Sequence, residues 1–320
     1  LTASVAFSYT LFGGMWSVTL TDAIQIVVLL IGLGWICWEV LDLYGQGDLL
    51  EGLHQIEARA PAGHMTVIPT SSPGALMGWV NLVVVGSLGN LAGADLMQRV
   101  FSSRSSRVAQ QACLISGALY IVVGLAPALL GLVASFVLPP EVKESVLPAL
   151  AQKILSPGLT VVFILALASA VFSTLDSAML TAASVFAHNL LRGVVPARID
   201  TLLLTRICVV GVTLGSILLA LQGSDAYELL EGSYALSLAG PFVPLLFGVY
   251  WRRGGQRAAV TSLVLGYALS IGEFVWEDLA AASPVPVPLL ALGVSAAAYV
   301  LVALLSDDAA PAGGELERAP

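Results

Sequence analysis

The chain has 320 residues, 58% hydrophobic and 11% charged, and its 13 Lys and Arg against 21 Asp and Glu leave a formal net charge of −8. A mean hydropathy of +0.91 lies far outside the soluble range, which excludes a water-soluble globular domain. An integral membrane protein surrounded by lipid is expected, with no nucleic-acid partner. Its charges sit in short segments between long apolar runs, the pattern of a helical bundle and not of a barrel built from short alternating strands.

Leu1 opens inside an apolar segment that is already under way, so the part of the protein before it is expected to be missing. At about 20 apolar residues per crossing, a partial helix runs to about Phe12. Full spans follow near 18 to 41, 74 to 97, 108 to 138, 158 to 189, 200 to 221, 229 to 250, 258 to 276 and 285 to 305. Residues 1–305 thus read as one polytopic bundle, and 306–320, rich in Asp, Glu, Ala, Pro and Gly, as a disordered cytoplasmic tail.

The basic residues orient this bundle. Arg99, Arg104, Arg107, Arg192, Arg198, Arg206, Arg252, Arg253, Arg257 and Arg318 fall on one side, and Arg59, Lys143 and Lys153 on the other, so the first group is assigned to the cytoplasm. Of the outward loops, residues 42 to 73 read as a solvated connector. In 144 to 155, Val146, Leu147, Leu150, Ala151, Ile154 and Leu155 recur at helical spacing, as in an amphipathic helix on the outer face that acts as a lid or as interfacial packing.

Several polar groups interrupt the apolar spans. Asp22 and Gln25 open the first full span at i and i+3; a carboxylate there suits an ion path, and equally suits the positive N-terminus of a helix. Gly86, Gly89 and Gly93 with Asn90 and Asp95 predict either local unwinding around a cavity or a close-packed face of small residues. Pro241 and Pro244 kink the span from 229 to 250.

Within the span near 158 to 189, Ala170, Ser173, Thr174 and Ser177 fall at i, i+3, i+4 and i+7 and share a helix face. Small hydroxyl residues let membrane helices pack closely. Asp176 beside them points instead to a cation or substrate pathway, because a carboxylate is poor packing material but a good ligand for a hard cation. Cys37, Cys113 and Cys208 are isolated and read as small hydrophobes, and His54, His64 and His188 as loop or helix-end residues. No Ser/His/Asp set, His/Glu metal spacing or nucleotide loop supports an enzyme.

These residues resemble the sodium/solute symporter family. The run from Tyr9 to Val18, followed by Thr21-Asp22-Ala23-Ile24-Gln25, is similar to the family's junction of fourth and fifth core helices. Asp95 with Gln98-Arg99-Val100 resembles the end of its sixth core helix, and Ala170 to Ser177 its eighth, the most specific match. The resemblance extends to about Leu305 and is nearest to the branch containing choline transporters.

The resemblance implies an all-α integral membrane fold of two inverted five-helix repeats, of which this chain is a C-terminal portion starting at about the fourth core helix. It implies that Ala170, through its carbonyl, Ser173 and Thr174 bind Na+ as the coupling ion. Asp22, Asp176 and Ser177 would form a second sodium site or the exit path, and Gly89, Asn90 and Gly93 would face the substrate. The implied function is sodium-coupled symport of a small organic solute across the cytoplasmic membrane by alternating access. A symporter-like membrane sensor module is the alternative, and the short tail after Leu305 argues against it.

Overall fold

The computed structural model describes residues 2–139 (2–13 by backbone alone), 142, 145–196, 198–221, 226–251, 253–275 and 283–306, so the expected tail beyond Ser306 lies outside the described residues. Among the described residues the chain is helical, with no strand. In chain order the helices are α1 (Thr2–Gly45), α2 (Leu49–Arg59), α3 (Pro73–Leu88), α4 (Ala94–Phe101), α5 (Ser106–Val137) and α6 (Val146–Ile154). They continue as α7 (Pro157–Val185), α8 (Thr201–Ala220), α9 (Ala226–Ser237), α10 (Val243–Tyr250), α11 (Gln256–Val275) and α12 (Val287–Leu305).

Seven stretches among the described residues are long and apolar enough to cross a membrane: Gly14–Gly45, Pro73–Ala92, Ser106–Val137, Pro157–Leu191, Thr201–Ala220, Leu229–Tyr250 and Val287–Leu305. They correspond to seven of the eight expected spans. The eighth, expected near 258 to 276, forms as the 20-residue helix α11, but its described part opens on Gln256 and Arg257 and carries Glu273, and it does not join the seven.

The boundary expected after Phe12 is a kink in α1. Gly14 takes φ 55° and ψ −147°, a backbone region open to glycine because it has no Cβ. The helix on the far side therefore starts at Gly14, and Asp22 lies about two turns inside it. That removes the reading of Asp22 as an N-terminal helix charge, since the end effect fades within the first turn.

The chain divides into two compact units, residues 1–66 with 100–221, and residues 67–99 with 222–320. In the first, α1 packs along α7 and also touches α2, α5, α6 and α8. Leu33, Ile36, Val40, Ile56, Leu130, Leu150 and Phe163 are buried together at one end of this unit. The expected amphipathic helix forms as α6, burying Leu150 and Ala151, and the Thr160 hydroxyl on α7 lies 3.3 Å from the Ala151 carbonyl it donates to. Lys153 donates from Nζ to the carbonyl of Val137, 2.5 Å away, closing the last turn of α5.

The connector expected over 42 to 73 contains a helix, α2. Asp48 caps it, accepting from the amides of Leu50 at 2.9 Å and Glu51 at 3.4 Å, and Gln55 donates to Glu51 at 2.7 Å. Its contact with α1 runs through glycine as well as through Ile56. Gly52 and Ile56 are its buried positions, and a Cβ on Gly52 would strike the backbone carbonyl of Leu41.

In the second unit, α3 tightens into a 3-10 turn at Gly89–Ala92 and breaks at Gly93, where ψ swings to 128° before α4 begins. Gly89 is also a close-packing position, since a Cβ there would stand 2.5 Å from the carbonyl oxygen of Tyr234. Unwinding and small-residue packing thus coexist in one segment, although nothing crowds Gly86. Pro241 sits in a π turn, Leu238–Phe242, between α9 and α10; the wider turn accommodates the missing amide donor and the ring. Helices α11 and α12 pack together, with Ser295 donating to the Ser262 carbonyl at 3.0 Å and Gly266 closing onto the Ala239 carbonyl.

Gly52→Val places a branched side chain against the Leu41 backbone and is expected to cost about 2 kcal/mol. Thermal unfolding in detergent should show the loss, together with faster trypsin cleavage after Arg59; an unchanged transition would contradict the α1–α2 contact.

Candidate functional site

The polar face expected near the middle of the fourth full span lies on α7, and its partner is α1. Ser173 donates a hydrogen bond of 2.5 Å from its Oγ to Oδ1 of Asp22, across 151 residues of sequence. Both side chains are half-buried. Ten residues further along α1, Gly32 approaches Ala166 and Phe163, so closely that a Cβ on it would collide with that of Ala166. As the α1 number rises the α7 number falls, so the two helices run antiparallel and touch along one seam.

Along this seam the expected residues occupy distinct environments. Ala170 is half-buried, and its carbonyl accepts a 3.1 Å hydrogen bond from Oγ1 of Thr174, whose side chain is exposed. Ser177 lies one turn beyond Ser173 and is buried at 6% exposure, while Asp176 is fully buried at 0%. Helical geometry puts Asp176 between the direction of Ser173, which faces α1, and that of Met179, whose sulfur accepts from Thr213 on α8 at 3.1 Å. The carboxylate therefore belongs to the three-helix contact of α1, α7 and α8, since α1 also touches α8. Continuing the seam past Gly32 leads to an apolar cavity of about 200 Å³ lined by Ile31, Trp35, Leu159, Val162 and Phe163, among others.

Gly89, Asn90 and Gly93 belong to the second unit. Gly89 is buried under Tyr234, Asn90 is exposed, and Gly93 is half-buried with its amide donating to the Asn90 carbonyl at 3.0 Å.

The α1–α7 seam offers a carboxylate, hydroxyls and a carbonyl, all hard oxygen donors. Such a set suits an alkali or alkaline-earth cation, and weak neutral donors allow release as well as capture. Among the described residues no group of three or more His, Cys, Asp or Glu side chains is placed to hold a metal ion. The pairing of Asp22 with Ser173 was not visible in either local pattern. The signal for it was shared chemistry: two polar faces in otherwise apolar helices, each needing a partner.

The carboxylate–hydroxyl bond is expected to couple the two positions by about 1–2 kcal/mol. A double-mutant cycle with Asp22→Ala and Ser173→Ala, read by thermal unfolding in detergent, measures it directly; strictly additive losses would contradict the contact.

A family model described as the sodium:solute symporter family matches residues 1–266. The chain is 24% identical over 294 residues to high-affinity choline transporter 1 of Caenorhabditis elegans, covering 85% of this chain and 49% of that protein. To the protein of the same description from Drosophila melanogaster it is 27% identical over 301 residues, 86% of this chain and 46% of the relative. It is 25% identical over 290 residues to a sodium/proline symporter of Staphylococcus aureus, covering 86% and 55%. The chain thus spans about half the length of the curated relatives it matches. Among solved structures, that of a Na+-coupled sialic acid symporter in a substrate-bound outward-open state superposes with a TM-score of 0.69 at 16% identity, over 96% of this chain and 66% of that one.

Proposed function

Because the chain belongs to the sodium:solute symporter family and is a multi-pass membrane protein, we propose that it forms part of a transporter in the cytoplasmic membrane that uses the sodium gradient to accumulate a small organic solute. The observation that carries this reading is the Asp22–Ser173 bond, which joins a carboxylate to the Ala170/Ser173/Thr174 face between two long apolar helices. Choline and proline, named by the relatives' descriptions, are the first solutes to test. The relatives are described as transporters and symporters, and none of them favours the sensor reading.

In this mechanism the ion enters from outside and binds to oxygens of α7, the Ala170 carbonyl and the Ser173 and Thr174 hydroxyls. Asp176 and Ser177 lie further toward the cytoplasmic end of α7 in the orientation set by the arginines, and with Asp22 on α1 serve a second ion or the route inward. Inward movement of one sodium charge through 100 mV releases about 2.3 kcal/mol, enough for roughly fiftyfold accumulation of a neutral solute carried with it. Coupling requires that ion and solute bind cooperatively, each favouring the state the other binds. Helix breaks such as the one at Gly89–Gly93 free backbone carbonyls, acceptors that a transporter can turn toward the positive or hydrogen-bond-donating groups of a solute.

The experiment is uptake of labelled choline and of labelled proline by the full-length protein in proteoliposomes under an inward sodium gradient. Ser173→Ala with Thr174→Ala is expected to abolish sodium stimulation; stimulation equal to wild type would overturn the assignment.

A further inference from the structure

Asp22 has a role in the mechanism just described; Gln25, three residues along the same face of α1, has none. Its side-chain oxygen, Oε1, is buried and accepts no hydrogen bond. A buried amide oxygen without a donor costs about 1–3 kcal/mol, so its position calls for a physical reason.

The seam geometry supplies one. Asp22 stands opposite Ser173, and Gly32 stands opposite Ala166, on antiparallel helices. Gln25 lies two turns before Gly32 and so projects in nearly the same direction, toward α7. It is one turn from Asp22 and therefore level with Ala170, which is the same distance from Ser173 along α7. The hydroxyls nearby are committed elsewhere. Thr21 donates from Oγ1 to the carbonyls of Ser17 and Val18, both at 2.9 Å, Ser173 donates to Asp22, and Thr174 donates to Ala170. What remains without a donor at the level of Ala170 is the amide oxygen of Gln25.

We infer that Gln25 Oε1 is a further ligand for the sodium ion on the α1–α7 seam, joining the Ser173 hydroxyl and the Ala170 carbonyl beside Asp22. The inference rests on the sodium-symport reading above. A neutral amide raises the ligand number without adding charge, so it favours cation entry while leaving release possible. It also gives α1 a sodium contact independent of the Asp22 carboxylate.

Equilibrium binding of radioactive sodium alone, with no solute present, to the purified full-length protein tests this. Gln25→Met keeps the length of the side chain and removes the hard oxygen; it is expected to raise the sodium half-saturation about tenfold. Gln25→Glu keeps an oxygen and adds a titratable charge beside the ion; its sodium affinity should rise with pH through the carboxylate range, with no such rise in wild type. If both variants bind sodium as wild type does while Ser173→Ala weakens binding, the inference about Gln25 is overturned and the symport reading stands. If wild type itself shows no saturable sodium binding, both fail. Should Gln25→Met not fold, Gln25→Glu decides alone: a pH-independent, wild-type affinity overturns the inference.

Discussion

Polar groups inside a membrane helix bundle must find partners among themselves, because hydrocarbon offers none. In the first unit Asp22 and Ser173 meet that constraint at one seam. Gly32 lets α1 come against Ala166 of α7, and the same closeness brings the Ser173 hydroxyl within 2.5 Å of the Asp22 carboxylate. Small residues and polar residues thus do complementary work: the first permit the approach, the second use it. Next to this pair the seam turns apolar, toward Ile31, Trp35 and Phe163, so the oxygens are confined to one stretch of it.

The second unit meets the same constraint through its backbone. Its α3 is broken at Gly89–Gly93, and its proline-bearing segment widens into a π turn at Leu238–Phe242. In each case a glycine lies against a neighbour's backbone or ring, Gly89 under Tyr234 and Gly240 under Tyr267. Side chains larger than hydrogen would separate these elements, so irregular backbone and close packing depend on each other here.

Hydropathy made the long helices legible, because a run of some 20 apolar residues has one stable form in lipid. The break at Gly89–Gly93 and the amphipathic helix α6 were legible for local reasons, glycine content and spacing. Helix α2 was not, because its contact with α1 runs in part through Gly52, which has no hydrophobic signature, and the cap at Asp48 is one polar residue in a polar segment. Nor was the true start of the helix bearing Asp22, which depends on the conformation of Gly14. As for the site, periodicity put Ala170, Ser173, Thr174 and Ser177 on one face, but pairing with Asp22 across 151 residues is a tertiary fact. The different burial of Thr174, exposed, and Asp176, fully buried, is likewise set by neighbours on other helices.

The central claim is that oxygens of the α1–α7 seam hold an alkali ion. The most direct measurement is a structure of the full-length protein with thallium(I) in place of sodium, located by its anomalous scattering. The account predicts a peak at ligand distance from the Ser173 hydroxyl and the Ala170 carbonyl, on the side facing α1. Ordered thallium found only at sites that touch neither α1 nor α7 would contradict it.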